Sequence, residues 1–153
     1  MRFPSSAPAG LTFQFIERDV FVAALPRAHR LAALRTVTLK ALAAEPLISF
    51  VSTQVGGLHA MVMLAFQGAG LSPRVAQEVT HVQTVMSLVE CGLGVALVPS
   101  RSVKLQSSKI ALRPIRGLPA GLATGIALAF STQDAPIAVQ RLRSVAAEFA
   151  DSG

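Results

Sequence analysis

Two polar loops hold the residue types that could grip a small ligand. Ser52, Thr53 and Gln54 follow one apolar run, Thr80, His81 and Gln83 follow another, and each set borders a stretch with helical spacing. Hydroxyls and unsatisfied N–H groups at converging helix starts suit a carboxylate or another small anion. Ser and Thr also occupy such positions simply to cap helices. The two roles are compatible, because one hydroxyl can cap a helix and line a cleft.

A third candidate is the stretch LVECGLGVALVPS, Leu88 to Ser100, with its Gly92-x-Gly94. A phosphate-binding glycine loop follows a strand and opens a helix. Here the order is reversed: Val82, Val85, Met86 and Val89 mark a helix that runs into Gly92. Gly92 fits the left-handed residue that ends helices, and Gly94 should let the next strand start close against the helix. Val95 to Val98 reads as a strand buried on both faces, stopped by Pro99. The pair therefore reads as punctuation, not as a cofactor loop.

Catalytic constellations are thin. His29, His59 and His81 are far apart, and Glu78 and Glu90 fall at opposite ends of one strand–helix unit. His59 is expected to face solvent or a partner. Cys91, the only cysteine, is expected to be a small buried hydrophobe, and it excludes an internal disulfide. No metal-ligand spacing is present. The expectation is a protein that is not an enzyme and needs no cofactor or metal.

Charge and composition narrow the partners. The formal charge is +6, but the basic residues are scattered from Arg2 to Arg143, and carboxylates are few. With no Trp or Tyr, stacking platforms for nucleic-acid bases are poorly supplied. No direct DNA contact is expected from this chain. Hydrophobic residues at 52% argue against disorder, and 153 residues suit one domain with a real core. MRFPSSAPAGLTF lacks the apolar stretch of a secretory signal, and no apolar segment approaches bilayer-spanning length. A soluble, cytoplasmic protein without membrane contact is the expectation.

The elements that must position the loops alternate. Residues 1–10 read as an irregular lead-in. Strands are expected at Leu11 to Ile16 and Val20 to Leu25, parted by Glu17-Arg18-Asp19, then a connector from Pro26 to Leu34. A short helix from Leu39 to Ala44 comes next, with Thr38 or Thr36 as its cap. Two strand–helix units succeed it: 47–51 with 58–69, and 74–79 with 82–91. The strand at 95–98 closes them. An irregular stretch to Lys109, strands at 110–114 and 122–130, and a helix from Pro136 to Phe149 complete the chain. This alternation predicts an α/β fold with right-handed crossovers and a mostly parallel sheet. The helix from Leu58 to Ala69 is unusually apolar. Leu58, Met61, Val62, Ala65 and Ala69 form its inward stripe, leaving Met63 and Phe66 off it, either for core packing on a second side or for a subunit contact.

Three segments, in order, resemble the effector-binding (substrate-binding) domain of LysR-type transcriptional regulators. Val22-Ala-Ala-Leu-Pro-Arg-Ala-His-Arg-Leu-Ala32 resembles the family's strand followed by Pro-x-x-His-Pro-Leu, with Arg30 in place of the second Pro. Gly70-Leu-Ser-Pro-Arg-Val-Ala-Gln-Glu78 resembles its Gly-[Phe/Leu]-x-Pro run into a strand. Gln83 to Pro99 resembles its helix ending in Gly-x-Gly, then a strand and Pro. The resemblance spans about Leu11 to Phe149, within a domain of 11–150.

It implies a type 2 periplasmic-binding-protein-like, two-lobed fold, with a small effector between the lobes controlling transcription. Carried over, 46–98 is most of the second lobe, and 11–45 with 99–150 supply first-lobe and hinge segments. The effector-side positions are then Ser52, Thr53, Gln54, Thr80, His81 and Gln83. The helix with Leu58, Met61, Met63 and Phe66 matches one used in antiparallel homodimers. Nothing in the chain resembles the family's winged helix-turn-helix, its linker helix or the first elements of the first lobe. The expectation is thus a truncated, C-terminal part, incomplete at the N-terminal side of the first lobe, with DNA contacted through the absent domain. A lobe of a transport-type solute-binding protein is the alternative.

Overall fold

Local chemistry sets where the helices start and stop. The computed structural model describes residues 11–52, 57–105, 107–119, 122, 124–131 and 137–151. In chain order the elements are β1 (Leu11–Asp19), β2 (Phe21–Pro26), β3 (Val37–Thr38), α1 (Leu39–Ala43), β4 (Pro46–Phe50), α2 (Leu58–Gly68) and β5 (Arg74–Val79). After these come α3 (Val82–Glu90), β6 (Ala96–Pro99), β7 (Ile110–Arg116), β8 (Thr124–Ser131) and α4 (Ile137–Asp151). Thr38 caps α1, its Oγ1 accepting from the Ala41 N–H at 3.2 Å. Thr36 instead accepts from the Arg116 guanidinium.

The helices α2 and α3 stop in the same way. Gly70 and Gly92 sit at φ +67° and +77°. Gly70 N–H donates to the Gln67 carbonyl and Leu71 N–H to Phe66; Gly92 N–H donates to Val89 and Leu93 N–H to Leu88. Each pair satisfies carbonyls that a helix end otherwise leaves bare. α3 buries Val85, Met86 and Val89, a burial that stabilises by roughly 1.5–3 kcal/mol per side chain. Cys91 departs from expectation: it is exposed. It lies two positions after Val89, about 200° around the helix, and so points away from the buried stripe.

On α2 the buried residues are Val62, Ala65 and Phe66. Phe66 is fully buried, contrary to the expectation that it faced a partner, because it stands four residues after Val62 on the core stripe. The exposed large apolar side chain there is Leu64, and Ala69 is the exposed cap residue.

The chain divides into two compact units, Val20–Leu122 and the described residues before and after it. In the larger unit one sheet has the order β3-β7-β2-β6, and β4 pairs with β5 in another. Among the described residues β3–β7 and β4–β5 pair in parallel, as does the isolated Leu47–Val95 bridge, while β2 runs antiparallel to both β6 and β7. The mostly parallel sheet expected is therefore a mixed arrangement, because β2 inserts between two strands far along the chain. The same pairing brings residues 20–45 and 99–122 into one unit with 46–98.

The core of this unit gathers Phe21, Leu25, Leu42, Leu47, Ile48, Phe66 and Leu97, all fully buried. Val95 joins the two sheets: Ile48 N–H donates to the Val95 carbonyl at 2.8 Å, and Val95 N–H to Pro46 at 2.9 Å. That approach needs Gly94, since a Cβ there would stand 2.4 Å from the Pro46 carbonyl oxygen. The close neighbour is thus the strand β4, not the helix as expected. Ser100–Leu105, expected to be irregular, forms a 3-10 helix.

Arginines serve as carbonyl clamps. Arg113 donates to the carbonyls of Ala32, Leu34 and Leu112, and Arg27 to those of Ser108 and Ile110. His29 Nδ1 accepts from the Leu31 N–H, while its Nε2 lies 3.5 Å from Glu45. Arg30, the residue standing where the family pattern has Pro, also pairs with Glu45.

In the smaller unit β1 runs unbroken through Glu17-Arg18-Asp19 and pairs antiparallel with β8. Gln14 donates to the Arg143 carbonyl of α4 at 3.1 Å, and the Arg143 guanidinium lies 4.3 Å from the Phe130 ring centroid. Among the described residues no helix is long and apolar enough to cross a membrane.

Candidate functional site

Parallel pairing puts the carboxyl ends of β4 and β5 side by side, with Val51 N–H donating to the Val79 carbonyl at 3.1 Å. Ligands of open α/β sheets bind at this end of the strands. The helices α2 and α3 begin just beyond it. Their cap residues, Gly57 and His81, have extended backbones, and neither supplies a side-chain capping bond. Both starts so present the positive end of the helix dipole without an oxygen from their own cap residue.

A pocket of ≈ 40 Å³ lies there, lined by Phe50, Val51, Gly57, Leu58 and Thr80. Pockets for whole drug-sized ligands span roughly 300–1,000 Å³. This one is far smaller, bordered by apolar side chains, the Gly57 backbone and Thr80.

His59 adjoins the lining residue Leu58 in the chain. It is the second residue of α2, half-buried, with Nδ1 2.6 Å from the Phe50 carbonyl oxygen and 3.7 Å from Glu78 Oε1. A carbonyl only accepts, so Nδ1 carries the proton. The expectation that His59 faced solvent or a partner is corrected. Its partners are a carbonyl nine residues back and a carboxylate on β5, which no spacing rule reveals.

Of the residues expected at the site, Thr80 lines the pocket. His81 and Gln83 are exposed at the start of α3, Ser52 is exposed in the turn after β4, and Thr53 and Gln54 lie outside the described residues. Missed from sequence were Phe50, Val51, Gly57, Leu58 and His59. The paired Gly56-Gly57 before an apolar helix was the available signal, because a cap without a side chain exposes its backbone. Among the described residues no cluster of His, Cys, Asp or Glu could hold a metal ion.

The sequence matches the family model of the LysR substrate binding domain over residues 1–151. It is 32% identical over 105 residues to the HTH-type transcriptional regulator TtuA of Agrobacterium vitis, covering 69% of this chain and 34% of that protein. It is 32% identical over 138 residues to the HTH-type transcriptional regulator CatR of Pseudomonas putida, covering 90% of this chain and 47% of that protein. The chain thus spans less than half the length of these relatives. Among solved structures, the BenM effector binding domain with benzoate superposes with a TM-score of 0.83 at 21% identity, covering 97% of this chain and 67% of that one. The effector binding domain of QuiR in complex with shikimate gives 0.79 at 18%, covering 94% and 66%. These likenesses establish the fold, type 2 periplasmic-binding-protein-like, and the chain belongs to the LysR substrate-binding domain family.

Proposed function

We propose that this domain senses a small carboxylate effector and, in a LysR-type regulator, passes its occupancy on to the control of transcription. The observation that carries the reading is the pocket at the ends of β4 and β5, where two helices start without side-chain caps. An anionic head group there meets backbone N–H groups and the Thr80 hydroxyl. BenM's effector is benzoate and QuiR's domain was solved with shikimate, both carboxylic acids, which supports this ligand class. Ser52, His81 and Gln83, with Thr53 and Gln54, would contact the rest of the molecule. Signalling is a population shift, in which the effector binds one arrangement of the protein better than another.

No DNA contact is assigned to this segment, since Arg27 and Arg113 already clamp carbonyls. Homodimer pairing is assigned to the side of α2 carrying Met61, Met63 and the exposed Leu64, with Phe66 left in the core. A thermal-shift titration with benzoate and shikimate tests the effector assignment. At ten times its Kd an effector stabilises the folded state by about 1.4 kcal/mol. Thr80→Ala should lower that response several-fold with no change in the ligand-free melting temperature. Failure of every small carboxylate to raise the wild-type melting temperature would overturn the reading.

A further inference from the structure

We propose that His59 is a positioning residue that holds the walls of this pocket at their spacing; the proposal rests on the effector reading above. The pocket is lined by three separate pieces of chain: the end of β4 at Phe50 and Val51, the start of α2 at Gly57 and Leu58, and Thr80 just after β5. His59 ties the first two pieces together and stands beside the third. It belongs to the first turn of α2, its Nδ1–H donates to Phe50 of β4 at 2.6 Å, and the same nitrogen lies 3.7 Å from Glu78, two residues before Thr80.

The start of α2 has no side-chain cap of its own, because Gly57 has no side chain to supply one. Phe50 is the last residue of β4, and the bond from His59 to its carbonyl ties that strand end directly to the first turn of α2. The feature that matters is the donor at the Nδ1 position. Both the neutral Nδ1–H tautomer and the imidazolium supply it, and so does an asparagine amide, whose Nδ2 stands near the same place. Leucine fills similar volume without a donor and leaves the half-buried carbonyl unpaired.

The test compares wild type, His59→Leu and His59→Asn in the full chain by amide hydrogen exchange without ligand, and by thermal shift with benzoate and shikimate. His59→Leu should speed exchange of the Met61 to Ala65 amides about tenfold and weaken carboxylate binding about tenfold, while Val85 and Val89 in α3 stay protected. His59→Asn should restore both. Unchanged exchange at Met61 to Ala65 in His59→Leu overturns the proposal, as does an asparagine variant no better than leucine. Loss of protection in α3 as well would assign His59 to global stability and also overturn it. If neither acid stabilises wild type, the effector reading fails on that arm, and the exchange arm still decides whether His59 holds α2 to β4.

Discussion

The unit of β4 and α2 and the unit of β5 and α3 are built from the same parts, yet they meet different surroundings. Each is a strand, a polar loop and a helix that starts without a side-chain cap and stops on a left-handed glycine. β4 is buried along most of its length, between β5 on one side and Val95 on the other. β5 is exposed at nearly every position, as the outer strand of its sheet. The course of the chain beyond each helix stop explains the contrast. After Gly70 it passes through Leu71-Ser-Pro73 to that edge; after Gly92 it passes through Gly94 into the core strand β6. Identical local punctuation leads to opposite fates because the next contact is non-local.

The sharpest way to break the comparison is at Gly94. A Cβ there would meet the Pro46 carbonyl oxygen, a backbone atom that cannot swing aside, at 2.4 Å. Gly94→Ala should force the Val95 bridge apart and cost about 3 kcal/mol, read from urea unfolding. At the two stops the obstacle is different. Nothing lies within 4 Å of a Cβ at Gly70 or Gly92, so only the positive φ opposes a side chain. Gly70→Ala and Gly92→Ala should each cost about 1 kcal/mol, and by similar amounts despite their different surroundings. A Gly94→Ala cost no larger than theirs would show that β4 tolerates displacement and that the two units are alike beyond their helix stops as well.

Local punctuation was legible in the sequence, and so were the elements it bounds. Gly70, Gly92, Thr38 and Pro46 mark boundaries by backbone preferences that act on their own residues. Pairing was not legible: nothing within Phe21–Pro26 says that it will lie between Ala96–Pro99 and Ile110–Arg116. The wheel position of Phe66 was misjudged because a helix apolar on most sides gives no contrast from which to choose a stripe. The candidate site was half legible. Thr80 stood out as a hydroxyl before a helix, while Phe50 and Leu58 look like any core residue. His59 was hidden because its chemistry depends on two other elements coming within reach.

The smallest expected change in stability comes where the comparison bears on assembly. Leu64 on α2 is 56% exposed, so it contributes little to the folded monomer. Leu64→Glu should therefore shift monomer stability by no more than about 0.5 kcal/mol. If this side of α2 pairs with a second copy, the same substitution places a charge in an apolar contact, and dimerisation should weaken at least tenfold. Size-exclusion chromatography with light scattering over a concentration series reads that change directly. The matching substitution on the other unit, Leu93→Glu, falls on an exposed residue just after α3 and should leave the association state as it was. Equal effects at Leu64 and Leu93 would remove the dimer assignment from α2. A selective effect at Leu64 would tie the helix before Gly70 to assembly, and leave the helix before Gly92 to the core alone.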